Sequence, residues 1–134
     1  MKPKSRVAPT KAKPGIKFDA TKLRYDLLPA VAIDQLMTVM TFGAVKYGPD
    51  NWRKVDEAED RYFAAAMRHL MAFQAARKRG NHAERFDPET GLSHLSHALT
   101  CLAFLTELEV GLPIDQKQLE DLLKKAAAAR AGAK

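Results

Sequence analysis

Residues 87 to 98, DPETGLSHLSHA, place two carboxylates and two of the chain's four histidines within eleven positions. His94 and His97 are i, i+3 neighbours, so on a helix both imidazoles leave one side about a turn apart. Asp87 and Glu89 precede that helix. Their oxygens either cap its free backbone N–H groups or bind something at its positive end. His69 lies on a helical line with Tyr62, Ala66 and Phe73, the core-facing line of an earlier element. Three imidazoles and two carboxylates can therefore meet in one cleft, and inward-facing histidines and carboxylates on neighbouring helices are how helical bundles build metal sites. The chemistry such a cluster offers is the binding of a divalent ion. Asp87, Glu89, His94 and His97 would hold the ion, which activates a water, and His69 or Glu89 would accept the proton.

Each of these residues also has a plainer reading. A single imidazole among apolar side chains is ordinarily a hydrogen-bonded core residue, and Asp87 before Pro88, with Glu89, suits a turn or a cap. The H-x-x-H pair resists that reading, because two adjacent buried imidazoles leave several donors and acceptors to satisfy. His82, in a polar loop, is assigned no role.

A second cluster lies in FGAVKYGPDNWRK. Lys46, Arg53 and Lys54, with Arg68 from the next helix, are cations that could neutralise phosphate oxygens. Tyr47 and Trp52 offer faces for a base, and the Asn51 amide could read a base edge. The alternative is that Trp52 covers one end of the fold and the cations are solvated. No G-x-x-x-x-G-K loop, no G-x-S-x-G and no adjacent His-Asp pair occurs, so phosphate-loop, serine-hydrolase and HD-type chemistry are excluded.

The elements that must position these residues read as helices. Apolar positions Val31, Ile33, Leu36, Met37 and Met40 predict a helix beginning near Pro29. The Gly48-Pro49-Asp50-Asn51 run is a turn. A second helix is expected over about Asp60 to Lys78, ended by Gly80, with Tyr62, Phe63, Ala66, Met67, Leu70 and Phe73 on its apolar side. A third runs from about Gly91 to Val110. Leucines 92, 95, 99, 102, 105 and 108, with Ala98, Cys101, Ala103 and Phe104, leave it little polar surface and make it the expected most buried element. A last amphipathic helix is built on Ile114, Leu119, Leu122 and Leu123. The fold class expected is all-α, a small bundle of about four helices. A bundle with one helix apolar all round commonly completes its burial by self-association.

The 134 residues suit one domain, expected over residues 18–130 behind a flexible basic arm. The formal charge of +6 resides in that arm: residues 1–17 carry Lys2, Lys4, Arg6, Lys11, Lys13 and Lys17 and no acid, and the remainder is neutral. Such a tail is either solvated or in weak, salt-sensitive contact with nucleic acid. A hydrophobic content of 46% without an eighteen-residue apolar run argues against a membrane span and for a soluble chain. One cysteine, Cys101, and no apolar leading segment point to the cytoplasm.

Taken in order over about residues 17 to 108, KLRYDLLP, TFGAVKYGPDNWRK, RYFAAAMRHLMAF and DPETGLSHLSHALTCLAFL resemble a small family of bacteriophage proteins, the dATP/dGTP diphosphohydrolases. These are relatives by description of the MazG-like all-α nucleoside triphosphate pyrophosphohydrolases. The resemblance implies cleavage between the α and β phosphates of a purine deoxynucleoside triphosphate, releasing a monophosphate and pyrophosphate. It further implies Mg²⁺ or Mn²⁺, a homodimer or tetramer, and the host cytoplasm for a phage-encoded chain.

One departure bears on the metal. The broader MazG-like pattern is E-E-x-x-E on one helix and E-x-x-D on the next, an oxygen cage suited to Mg²⁺. Here the second helix offers Arg68 and His69, and the third offers H-x-x-H. Asp34, Gln35 and Thr38 are at most a depleted acidic motif in the first helix. Imidazoles favour Mn²⁺, Zn²⁺, Co²⁺ or Ni²⁺. Either the metal site is rebuilt around Asp87, Glu89 and the histidines, or the histidines contact phosphate while the metal arrives with the nucleotide. The alternative of another class is a non-catalytic accessory module that binds a nucleotide or nucleic acid. A third is a purely structural helical oligomer.

Overall fold

The computed structural model describes residues 13–133. Most of the basic arm expected over residues 1–17 lies outside them. The described residues hold four α-helices: α1 (Ala30–Tyr47), α2 (Ala58–Lys78), α3 (His94–Val110) and α4 (Gln116–Gly132). Three short 3-10 turns, Tyr25–Leu27, Asn51–Lys54 and Ala83–Arg85, accompany them. The all-α class expected from the periodicity is what the chain adopts. No helix among the described residues is long and apolar enough to cross a membrane.

Contacts divide the chain into two compact units with boundaries at 23/24 and 114/115, both inside the 18–130 span expected for one domain. One unit, residues 24–114, contains α1, α2 and α3, with α3 packed against α2 and against α1. The other joins α4 to the segment ending at Leu23. Its helix is started by a capping box in which Asp115 Oδ1 accepts from the Gln118 amide at 2.8 Å and Gln118 Oε1 accepts from the Asp115 amide at 3.0 Å. Gln116 Nε2 donates to the Thr21 carbonyl at 2.9 Å, tying that segment to the helix.

α1 begins where Pro29 predicts, with the proline as N-cap. It stops at Gly48, whose φ of 94° and ψ of 146° suit glycine and turn the chain into Pro49. α2 ends one residue before Arg79, and the following Gly80 and Asn81 amides return to the Arg77 and Ala76 carbonyls. α3 starts at His94 rather than near Gly91. Residues 87–93 are held instead by a tight turn and an isolated bridge between Phe86 and Ser93. Ser93 then caps α3, its side chain accepting from the Leu95 amide at 3.1 Å.

The third helix supplies most of the burial, as expected, but on one face rather than all round. Its buried residues are His94, Ser96, Ala98, Thr100 and Cys101, and Leu95, Leu99 and Leu102 point outward. Opposite them on α2, Ala66 and Ala76 are buried, Tyr62, Leu70 and Phe73 half-buried, and Phe63 and Met67 exposed. Small residues at the α2–α3 contact let the two axes approach closely. That approach brings histidines from both helices together.

The Ser93 cap fixes the first turn of α3, where His94 sits. Ser93→Ala is expected to lower unfolding stability by about 1 kcal/mol, read from denaturant midpoints at unchanged slope.

Candidate active site

A cleft of about 500 Å³ opens within the 24–114 unit. The C-terminal half of α1, the Gly48–Trp52 turn, Tyr62 and His69 of α2, residues 87–90, and His97 to Phe104 of α3 form its walls. His69 Nδ1 lies 2.9 Å from His94 Nδ1 across the α2–α3 contact. Only one of those nitrogens can carry the proton, so one imidazole donates to the other's lone pair. The His97 ring stacks on His69 with centroids 4.7 Å apart and planes 14° from parallel. His94 is 9% exposed and stands behind His69, out of the cleft lining.

Asp87 organises the loop beneath them. Its Oδ1 accepts from the amides of Glu89 (3.1 Å) and Thr90 (3.0 Å) and from the Thr90 hydroxyl (3.2 Å), and Gly91 closes the turn with φ 71°. The hydroxyl settles a tautomer. Thr90 Oγ1 accepts from the Leu92 amide at 3.2 Å, and its one proton goes to the Asp87 carboxylate, which can only accept. The remaining contact, His97 Nε2 at 2.7 Å, is therefore a donation from His97. The neutral ring keeps its lone pair on Nδ1. Thr90 carried no weight in the sequence reading; the D-x-x-T spacing before a helix is the signal that could have marked it.

Burial lowers the affinity of His69 for a proton, and the neighbouring His97 and His94 lower it further against the pull of Asp87. Burial also lowers His97, opposed by Asp87. At Asp87, burial works against ionisation, but the Thr90 amide and hydroxyl, His97 and the Glu89 amide outweigh it and hold the carboxyl below its ordinary range.

The expected ligand residues are thus gathered unequally. His69, Asp87 and His94 each offer a donor atom, all within 4.8 Å of one another. His97 adjoins this group, 3.8 Å from Asp87 Oδ1. Glu89 does not join it: its carboxylate reaches across the cleft to Lys46 Nζ at 2.5 Å. That bond, then a contact with Tyr47, raises the Lys46 pKa. Two imidazoles and a carboxylate are a competent donor set for a divalent transition ion. Ligands about 2.1 Å from one ion lie at most about 4.2 Å apart, so any pair near the 4.8 Å limit would have to close on binding.

Four of the five expected substrate-binding residues sit along the same cleft, and Arg53 is not among its lining residues. Lys46, Tyr47, Asn51 and Trp52 line it, together with Cys101, whose thiol burial pushes up. Trp52 stacks on Phe104 at 4.4 Å and 8°, and the Arg53 guanidinium lies 4.2 Å from the Trp52 ring centre while contacting Asp50 and Glu107, each at 3.4 Å. A base stacking on Trp52 competes with Arg53. Arg68 is exposed and lines a second hollow with Arg61 and Asp60, sharing Tyr47, Asn51 and Tyr62 with the main cleft.

With this geometry in place, sequence comparison identifies relatives. A family model described as dATP/dGTP diphosphohydrolase, N-terminal, matches residues 12–118. The chain belongs to that family. A curated relative from Salmonella phage PMBT28, named dATP/dGTP diphosphohydrolase, is 33% identical over 91 residues, 68% of this chain. The chain spans 28% of that relative's length. No solved structure matches it significantly.

In this family member the depressed imidazoles make the metal-free fold acid-sensitive. His69 and His97 bind protons more readily unfolded than folded, so stability is full above about pH 6.5 and falls as pH drops through and below that value. Thermal melts in chelator from pH 8 to pH 5 are expected to show this decline, shallower in His97→Gln. A midpoint that rises on acidification is the contrary result.

Proposed function

We propose that the chain hydrolyses a purine deoxynucleoside triphosphate, dGTP or dATP, to the deoxynucleoside monophosphate and pyrophosphate with a divalent ion. One observation carries this reading: two imidazoles, His69 and His97, and the Asp87 carboxylate share a single cleft with Lys46, Tyr47 and Asn51, with a third imidazole, His94, bonded to His69 from behind. The relative's name supports the substrate class.

His69, Asp87 and His94 would hold the ion, which when bound neutralises phosphate charge and acidifies water. Lys46 leaves Glu89 to meet the phosphates, exchanging one anionic partner for another at little electrostatic cost. His97 holds its Nε2 proton on Thr90 and presents Nδ1 as the lone-pair site for the proton lost by water, a role the sequence reading gave to His69 or Glu89. Glu89, released from Lys46, is the second acceptor at the cleft mouth. Tyr47 and Asn51 flank the base, and Arg53, swung off Trp52, adds a cation. Arg68 sits in the adjoining hollow, which suits it to the departing pyrophosphate.

Self-association belongs to the same reading. Phe63, Met67 and Met71 form an exposed i, i+4, i+8 stripe on α2, and Leu95, Leu99 and Leu102 form one on α3. Stripes of this size ordinarily mark interfaces. Light scattering is expected to find at least two chains per particle, with Leu99→Glu shifting the population to monomer.

A panel of deoxy- and ribonucleoside triphosphates with Mn²⁺ or Mg²⁺, assayed for pyrophosphate, tests the activity. dGTP or dATP is expected to be turned over, with Lys46→Ala raising KM about tenfold and His97→Gln lowering kcat about a hundredfold. If no triphosphate in the panel yields pyrophosphate, the chain is a binding module instead.

A further inference from the structure

We propose that the ion site of this chain is a two-imidazole, one-carboxylate centre of His69, Asp87 and His94. We propose further that it selects a first-row transition ion over Mg²⁺, with Glu89 outside it. The inference deepens the hydrolytic reading and rests on it for its purpose, but its test uses no nucleotide.

The charge pairing of the cleft carries the argument. Three carboxylates line it: Asp50, Asp87 and Glu89. Asp50 answers Arg53, and Glu89 answers Lys46. Asp87 alone faces imidazoles. Mg²⁺ demands a near-octahedral shell of oxygens and sheds water reluctantly, and a single uncommitted carboxylate does not make such a cage. Asp34, the remaining candidate acid of α1, is exposed and absent from the cleft walls.

Nitrogen donors, by contrast, are already placed. The Nδ1 atoms of His69 and His94 stand 2.9 Å apart. Two ligands about 2.1 Å from one tetrahedral ion are separated by about 3.4 Å, so the two nitrogens would part by roughly half an ångström. A single proton joins the two nitrogens; an ion bound by both would stand to one side of the line between them, and each ring would turn to aim its lone pair at it. Among the described residues His94, though buried, has no hydrogen-bonding side-chain partner other than His69. Its second imidazole neighbour, His97, is committed through Nε2 to Thr90 and stacks on His69, fixing that ring's orientation. His69 and Asp87 line the cleft, so an ion held with them is reachable by a phosphate. Affinity at imidazole and carboxylate donors rises from Mn²⁺ towards Cu²⁺, which sets the direction of selectivity.

The experiment uses the full chain, stripped with EDTA and desalted, then supplied with Mn²⁺, Co²⁺ or Zn²⁺ in slight excess or with Mg²⁺ in large excess. Co²⁺ and Zn²⁺ are expected to be retained at about one ion per chain and to raise Tm by several degrees. The Co²⁺ protein should show visible d–d bands, and Mg²⁺ should leave Tm unchanged. His69→Gln and His94→Gln should lose both ion and shift, and Glu89→Gln should keep both. Should the buried His94→Gln fail to fold, the half-buried His69→Gln decides, with far-UV circular dichroism reporting the helices. The proposal is overturned by an equal shift with Mg²⁺, by full Co²⁺ retention in folded His69→Gln, or by its loss in Glu89→Gln. Ion binding without triphosphate hydrolysis would overturn the hydrolytic reading and leave the site standing; Mg²⁺-driven hydrolysis without transition-ion binding would do the reverse.

Discussion

A pair of imidazole nitrogens sharing one proton across the α2–α3 contact is the constraint from which the rest of the 24–114 unit follows. Burying two histidines is costly unless their ring nitrogens are answered. Here each is brought within hydrogen-bond reach of the other because the helices meet through alanines. Ala66 on α2 and Ala98 on α3 are 2% and 1% exposed, and no large side chain is fully buried anywhere among the described residues. The core is therefore thin and polar at its centre. Larger apolar side chains at that contact would bury more area but would push the two rings apart.

The loop before α3 extends the same logic. Asp87 builds its turn by accepting two amides and a hydroxyl, and the ionised form suits those donors best. That hydroxyl, fixed by Asp87 and the Leu92 amide, in turn fixes the His97 tautomer. One carboxylate thus shapes the backbone, orients through Thr90 the His97 side chain ten positions on, and faces the imidazole cluster. The other acids of the cleft are spent on cations: Asp50 on Arg53, Glu89 on Lys46. Each such exposed pair is weak in stability terms. Their importance is in what they leave unpaired.

Much of this was legible beforehand, and the failures have a common cause. Pro29 and Gly80 marked helix ends through local backbone chemistry, and the structure follows them. The start of α3 was misplaced by about three residues because Asp87 and Gly91 close a turn that competes with the first helical turn. The leucines of α3 were expected inside; Leu95, Leu99 and Leu102 are outside. Periodicity identifies an apolar stripe but not its partner, and a helix with apolar residues on several sides leaves the choice to whatever packs on it. Grouping Glu89 with the histidines failed to anticipate Lys46, which is forty-three positions away in sequence.

The amino-acid sequence by itself determined that the chain is helical, that its charge excess lies in the first seventeen residues, and that His94 and His97 share a side of one helix. Those properties depend on neighbours within a few residues. Only the tertiary structure decided that His69 meets His94 and that Glu89 pairs with Lys46. It also decided that the small, polar face of α3 turns inward. Each depends on how close two helices can come, and that distance is set by side chains far apart in the chain.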